Sequence, residues 1–331
     1  MRQLWMGLIV LVLLPSCKHP RPIELYEISH FDSLGWTHDV AIDGSNIYIA
    51  DRQGGISVFD RSQRYKRSSH VLPIHDVISL SPNSGMPVLA AGFDGLIAVS
   101  PSGQIAGRYT NRCIFNAVQV RDGLAFAANG PRGLMVARLA RGRILPIAEL
   151  PAEGWAHDLR LSRNHALLAD WNHGLRVVDI SNPEKPEEIA HLSSPATCIS
   201  LAVQGSGATC MLALAEGHAG ISLAVLDSHG RPSLLGRNFL GLNPKDPVHP
   251  ESGGWVHGVA WAGRYLIAAN WKRGLAVLDC KNPVKPSLVM EAATPGTALA
   301  VQAELQSDGS YLIFLADGES GLRMYRFVPG W

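Results

Sequence analysis

Three stretches of this chain open with the same constellation, a Trp two residues ahead of a His: Trp36 and His38, Trp155 and His157, Trp255 and His257. Asp39 and Asp158 follow the first two imidazoles, and His75-Asp76 offers a similar dipeptide elsewhere. A second polar set comprises Asp51, Asn129, Asp170, Glu216, Asn270 and Asp317, each four residues ahead of a Gly, with Trp171 and Trp271 following two of them. Imidazoles and carboxylates in this number can share a metal ion if three or four of them converge. His38, His75, His157 and His257 would be its ligands. They can also serve hydrolysis, which needs a nucleophile, a base and an orienting acid; Ser200, at an inner-strand position, is the nucleophile on offer. Yet neither a Gly-x-Ser-x-Gly elbow nor a His-Glu-x-x-His helix is present. The third chemistry is recognition: indoles and imidazoles around one opening form a contact face for a protein, peptide or glycan.

The same residues suit plain architecture. An Asp or Asn four residues before a Gly is turn chemistry, with the side chain folding onto its own backbone and the Gly taking a positive φ. A His at a strand start can tie neighbouring loops together through its two ring nitrogens. Choosing between these readings requires the elements that carry them.

Those elements repeat. The Gly that starts a third strand recurs as Gly55, Gly95, Gly133, Gly174, Gly220, Gly274 and Gly321, each followed by Ile or Leu. Between them lie short runs rich in β-branched and aromatic residues, such as Ile47-Tyr48-Ile49, separated by turn residues. Seven units at this period predict an all-β protein, a seven-bladed β-propeller of four-stranded blades. The last unit stops at its third strand, Gly321 to Phe327, and Ile23 to Ser29 supplies a strand at the other end. Pairing the two closes the ring and removes two edges. In a meandering blade the His starts and the Asp/Asn loops then converge on one mouth of the central channel. His38 and His75 fall in adjacent units, whereas His157 and His257 lie farther round, so four imidazoles at one point are not expected.

Two units carry Leu175-Arg-Val-Val-Asp179-Ile-Ser-Asn-Pro183-Glu-Lys-Pro186 and Leu275-Ala-Val-Leu-Asp279-Cys-Lys-Asn-Pro283-Val-Lys-Pro286, with weaker copies at Ile56 to Asp60 and Leu223 to Asp227. They resemble the LVIVD-repeat family of β-propeller proteins. The resemblance implies a propeller on a secreted or surface-attached protein and implies little about activity.

The first residues read as a targeting segment: Arg2, an apolar run from Leu4 to Leu14, then Leu14-Pro15-Ser16-Cys17. The ending resembles the lipobox of bacterial lipoproteins, which implies cleavage after residue 16 and lipid on Cys17. Lys18, where Asp would retain a lipoprotein at the inner membrane, implies the outer membrane of a Gram-negative cell. The expected organisation is therefore a signal peptide over 1–16, a tether over 17–22 and the propeller over 23–331. Charged residues make up 17% of the chain and the net charge is +1, so a nucleic-acid partner is not expected. Cys198 and Cys210 are the one cysteine pair close in sequence and could bridge a hairpin. The Pro/Gly-rich stretch from Gly236 to Gly254 is long enough for a lid, a partner loop or a solvated insertion.

The function these residues imply is a membrane-anchored extracytoplasmic binding module with no cofactor and an envelope protein or glycan as partner. Its contact face would comprise Trp155, His157, Asp158, Asp170, Trp171, Trp255, His257, Asn270 and Trp271. The alternative is an extracytoplasmic enzyme using a divalent metal at the same mouth.

Overall fold

The computed structural model describes residues 22–330 except 71–73, 75, 83–86, 101, 206 and 241–253. The leader, Cys17, His75 and most of the long stretch before Trp255 lie outside the described residues. What is described forms seven antiparallel sheets of four strands each.

Blade 4 shows how the sequence builds one. Its strands are Ala156–Ser162, His165–Asp170, Leu175–Asp179 and Glu187–Leu192, paired in that order. The second strand is buried along its whole length, and Leu167, Leu168 and Ala169 have no exposed surface. This is the signature of a strand covered on both faces, here by the blades on either side. The outermost strand alternates exposed and half-buried positions because only its inner neighbour covers it.

Asp179, the final residue of the repeat's apolar run, accepts from the Ser181 N–H at 2.8 Å and starts the turn to the fourth strand. Asp279 accepts from Lys281 at 2.8 Å, and Asp60 and Asp227 do the same for their own turns. These N–H donors hold the Asp179 carboxyl below the usual range. The Asn-Pro turns continue the device, with Asn182 and Asn282 capping Glu184 and Val284.

At the third strand's start, Gly174 has φ 81°, and a Cβ there would stand 2.3 Å from the Leu192 carbonyl of the outer strand. Only Gly fits such a close approach in that conformation.

Each seam between neighbouring blades holds its own apolar cluster, seven in all among the described residues. The cluster of Val40, Ile47, Ile49 and Phe59 with Phe314, Ala316, Leu322 and Met324 joins blade 7 to blade 1. Closure within blade 7 runs as expected from the repeat count. The N-terminal strand Glu24–Phe31 pairs antiparallel with Leu322–Val328 as the fourth strand, with a bulge between Glu27 and Ser29.

Candidate functional site

Each blade contributes one residue to the narrowest ring of the channel, the one whose N–H bonds the end of its own second strand. His38 bonds Ala50 O at 2.8 Å, Ile78 bonds Ala90 O at 2.9 Å and Asn116 bonds Ala128 O at 2.9 Å. Ile199, His257 and Leu299 bond Ala215, Ala269 and Ala316 in the same way, and His157 fills the place in blade 4. This corrects the register expected for two blades. Ile78-Ser79, not His75-Asp76, matches His38-Asp39, and Leu299-Ala300 takes the place in blade 7. Backbone pairing sets the register: Val77 N–H reaches the Arg52 carbonyl as Thr37 reaches Gly318. Asp76 thereby falls at the position occupied elsewhere by a Trp, where it forms a bidentate ion pair with Arg52 at 2.7 and 2.8 Å.

Three of the four imidazoles converge although they come from blades 1, 4 and 6; His75 lies outside the described residues. His257 meets His38 edge-on at 5.5 Å between ring centroids and His157 at 6.0 Å. Each Nδ1 lies 2.9 to 3.0 Å from a carbonyl of the next blade: His38 from Ile78 O, His157 from Ile199 O, His257 from Leu299 O. A carbonyl only accepts, so Nδ1 carries the proton and Nε2 keeps its lone pair. Burial lowers the pKa of all three; for His38 it falls to about 4, with Arg52 and the neighbouring His157 adding to the shift. The ring is therefore neutral at pH 7. Its stitching of blades 1 to 2, 4 to 5 and 6 to 7 is continued by Asn116, whose Nδ2 donates to Ala156 O at 2.9 Å.

One layer deeper, Asp39 accepts from Ser79 Oγ at 2.8 Å, and Asp158 accepts from Ser200 Oγ at 2.8 Å. Burial raises the Asp39 carboxyl. Asp158 also receives Arg160 at 2.6 Å. Ser200 thus gives its proton to a carboxylate that already bonds the Leu201 N–H, and the His157 Nδ1 is engaged elsewhere. The cavity bounded by these two layers is about 60 Å³. Among the described residues, no group of three or more His, Cys, Asp or Glu side chains is placed to hold a metal ion.

The second polar set lies inside the blades. Asp51, Asn129, Asp170, Asn270 and Asp317 have no exposed surface, and Glu216 is 1% exposed. In four of them the side chain meets the residue six positions on, in the third strand. Asp51 receives Ser57 at 3.1 Å, Glu216 receives Ser222 at 2.5 Å, Asp317 receives Arg323 at 3.0 Å, and Asp170 lies 3.4 Å from Arg176. Where that residue is Met135 or Ala276, the carboxylate is replaced by the uncharged Asn129 or Asn270. In blade 2 both positions are apolar, Ala91 and Ile97, and Ala91 N bonds Gly95 O at 2.9 Å, so this turn keeps the common length. A charge is buried only where a donor meets it. Asp170 and Asn270, expected on the contact face, belong to this internal system.

The indoles do reach the mouth. Trp36, Trp155 and Trp255 lie across the turn glycines of the preceding blades, Gly318, Gly130 and Gly217, within about 3 Å of where a Cβ would stand. Trp171 and Trp271 occupy that same turn position in blades 4 and 6, with φ 40° and 49°, a region a bulky residue enters only under strain. They stack on His157 at 5.5 Å and His257 at 6.0 Å. Blade 5, between them, carries only Thr197 and Gly217 at the matching places. The result is a pocket of about 310 Å³ lined by His157, Trp171, Ile199, Trp255, His257 and Trp271. Trp155 stands outside it on the same rim, 37% exposed.

Cys198 and Cys210 are free. Cys198 pairs with Trp171 at the mouth end of blade 5, whereas Cys210 opens the second strand at the far end of the hairpin, a whole strand away. The expected option of a bridge fails on this distance.

The family model for the LVIVD repeat matches residues 34–64, 153–192 and 253–294. The chain carries LVIVD repeats. The three matches fall on blades 1, 4 and 6, the blades that bear the Trp-x-His constellation. Among curated proteins none matches. The chain superposes on the WD40 repeats of RRP9 with a TM-score of 0.71, 13% identity, and coverage of 93% of this chain and 100% of that one. It superposes on the β-propeller domain of Cps50 (Swd1) from Myceliophteria thermophila with a TM-score of 0.69 and 14% identity, covering 92% and 99%. At such identity the likeness is one of fold.

Proposed function

We propose that the LVIVD propeller is a ligand-binding module of the bacterial cell envelope, held to a membrane by lipid on Cys17 and presenting its Trp/His mouth to a protein, peptide or glycan. The observation that carries this reading is the pocket of three indoles and two neutral imidazoles at one end of the channel. Repeat propellers are common interaction scaffolds, and loops on a rigid framework are where such folds place recognition. Four other blades have Gly at that position and blade 1 has Arg52, which is used in an ion pair with Asp76; the two indoles have no such partner and line the concavity, which supports a contact role.

The contact face narrows to Trp155, His157, Trp171, Trp255, His257 and Trp271, with Asp158 beneath it. Metal-dependent catalysis is not favoured, since among the described residues no three His, Cys, Asp or Glu side chains are placed to hold one ion, and Ser200 is bonded to Asp158. Anchoring rests on the leader, and the outer membrane on Lys18 after the lipidated Cys. Among the described residues no helix is long and apolar enough to cross a membrane.

Affinity capture from detergent-solubilised envelopes tests the binding face. A partner held by the wild-type protein and by Phe93→Ala, but lost with Trp271→Gly, supports it; equal capture by all three sinks it. Phe93 is a suitable control, being 69% exposed in the turn of blade 2 on the same rim. Cys17→Ser should move the protein from the detergent phase to the aqueous phase.

A further inference from the structure

We infer that the pocket at the mouth is an aromatic cage for a quaternary ammonium group, a trimethylated nitrogen carried by a lipid head, a small osmolyte or a modified lysine. This rests on the binding reading above and names its ligand class.

The walls decide the chemistry. Trp171, Trp255 and Trp271 supply π faces, and Trp is the strongest aromatic partner for a cation. His157 and His257 are neutral, so they add ring surface without positive charge. Ile199 closes the floor. The lining carries no formal charge and its only polar atoms are ring nitrogens, so it offers neither the carboxylate that pairs a primary ammonium nor the cation that pairs a carboxylate. A trimethylammonium needs none of these, having no N–H to donate. About 310 Å³ sits at the small end of ligand pockets, roughly 300–1,000 Å³, and suits one compact head with the start of its tail.

Behind the pocket, Asp158, Asp170 and Glu216 are each met by an arginine, Arg160 and Arg176 directly and Arg237 through Ser222, so the walls rather than a buried charge select the ligand. Strain adds to this. Trp171 and Trp271 hold positive φ where blades 2, 3, 5 and 7 have Gly92, Gly130, Gly217 and Gly318; blade 1 has Arg52 there at φ 41°, committed to its ion pair with Asp76. An indole retained there at an energetic cost is placed for contact rather than for the fold.

The test is a titration of the full-length protein, followed by intrinsic Trp fluorescence and calorimetry. Choline is compared with its carbon isostere, in which a tert-butyl group replaces the trimethylammonium, and with a panel of monosaccharides. Saturable binding of choline at least ~10-fold tighter than the isostere is expected, a difference of about 1.4 kcal/mol and within the range of a desolvated cation–π contact. Trp171→Gly and Trp271→Gly should each weaken it by about 10-fold or more, while Phe93→Ala leaves it unchanged. Equal binding of choline and isostere overturns the assignment, as does an absence of saturation by choline. A sugar that saturates the site when choline does not overturns the ligand class and leaves the binding reading standing. Failure of choline together with envelope capture that ignores Trp271→Gly overturns both. Competition by phosphatidylcholine vesicles but not phosphatidylglycerol vesicles would assign the head to a lipid. Competition by a trimethyl-lysine peptide but not its unmethylated form would assign it to a protein.

Discussion

Trp271 stacks on His257, 6.0 Å between ring centroids, from a backbone held at φ 49°. Trp171 repeats the relationship with His157 two blades away. Both indoles occupy a turn position that suits Gly, and both line the same pocket.

This position reverses the usual order of small-residue substitutions. Elsewhere in a strand or helix Ala is better than Gly, but a Cβ in the left-handed region costs about 1 kcal/mol. Trp271→Gly is therefore expected to be more stable than Trp271→Ala by about 1 kcal/mol, because both lose the indole but only Gly sheds the strain. Urea unfolding of the two variants measures it; an Ala variant as stable as Gly would mean the turn is not strained.

The carboxylate system predicts a sharp asymmetry. Asn270 lies buried six residues before Ala276, with both amide atoms unpaired, where Asp317 has Arg323. Asn270→Asp would bury a charge without a donor and should cost on the order of 3 kcal/mol at neutral pH. Adding Ala276→Ser, which copies the Glu216–Ser222 pair, should recover at least ~1 kcal/mol of that loss. A double-mutant cycle in denaturant reads the coupling, and strict additivity would contradict the pairing rule.

Much of this was legible in the sequence because it repeats locally. The positive φ of the third-strand Gly, the seven units and the closing strand all follow from spacing along the chain. The rule linking a buried carboxylate to a Ser or Arg six residues later is also written there, in Asp51 with Ser57 and Glu216 with Ser222. What spacing cannot convey is placement around the ring. His75-Asp76 has the right residue types, yet backbone pairing of Val77 with Arg52 assigns the ring position to Ile78. The pocket depends on blade 5 being small where blades 4 and 6 are large, a relation among three repeats that no single motif contains. His157 and His257 meet for the same reason: their distance is set by the channel's width and not by chain separation.

Closure by the N-terminal strand should govern stability of the whole ring. Arg323 bridges Asp317 at 3.0 Å to Glu27 at 2.8 Å on that strand, and Leu25 and Phe31 pack into the clusters flanking blade 7. Deleting residues 22–31 leaves Leu322–Val328 as an exposed edge. Melting should fall by on the order of 10 °C and soluble oligomers should appear in size exclusion. A truncated protein that melts like the intact one would show that the strand contributes nothing to closure.

The imidazole ring makes stability pH-dependent with a definite sign. His38 titrates near pH 4 in the folded state, and His157 and His257 are likewise depressed, against an ordinary value near 6.5. Between those limits the unfolded chain binds more protons than the folded one, so stability is full above about pH 6.5 and falls as pH drops towards 4. The buried carboxylates Asp51, Glu216 and Asp317 act in the opposite direction, since burial raises their pKa and protonation relieves it. Comparison with a variant removes that background. Asn116 already performs the His task in blade 3, donating to the next blade without titrating, so His257→Asn is the matched substitution. Relative to the wild type it should gain stability as pH falls from 7.5 to 5, the difference growing by at most about 1.4 kcal/mol per pH unit for one imidazole. Parallel urea curves for the two proteins across that range would mean His257 binds protons in the fold as it does in the unfolded chain, and its depressed pKa would be wrong.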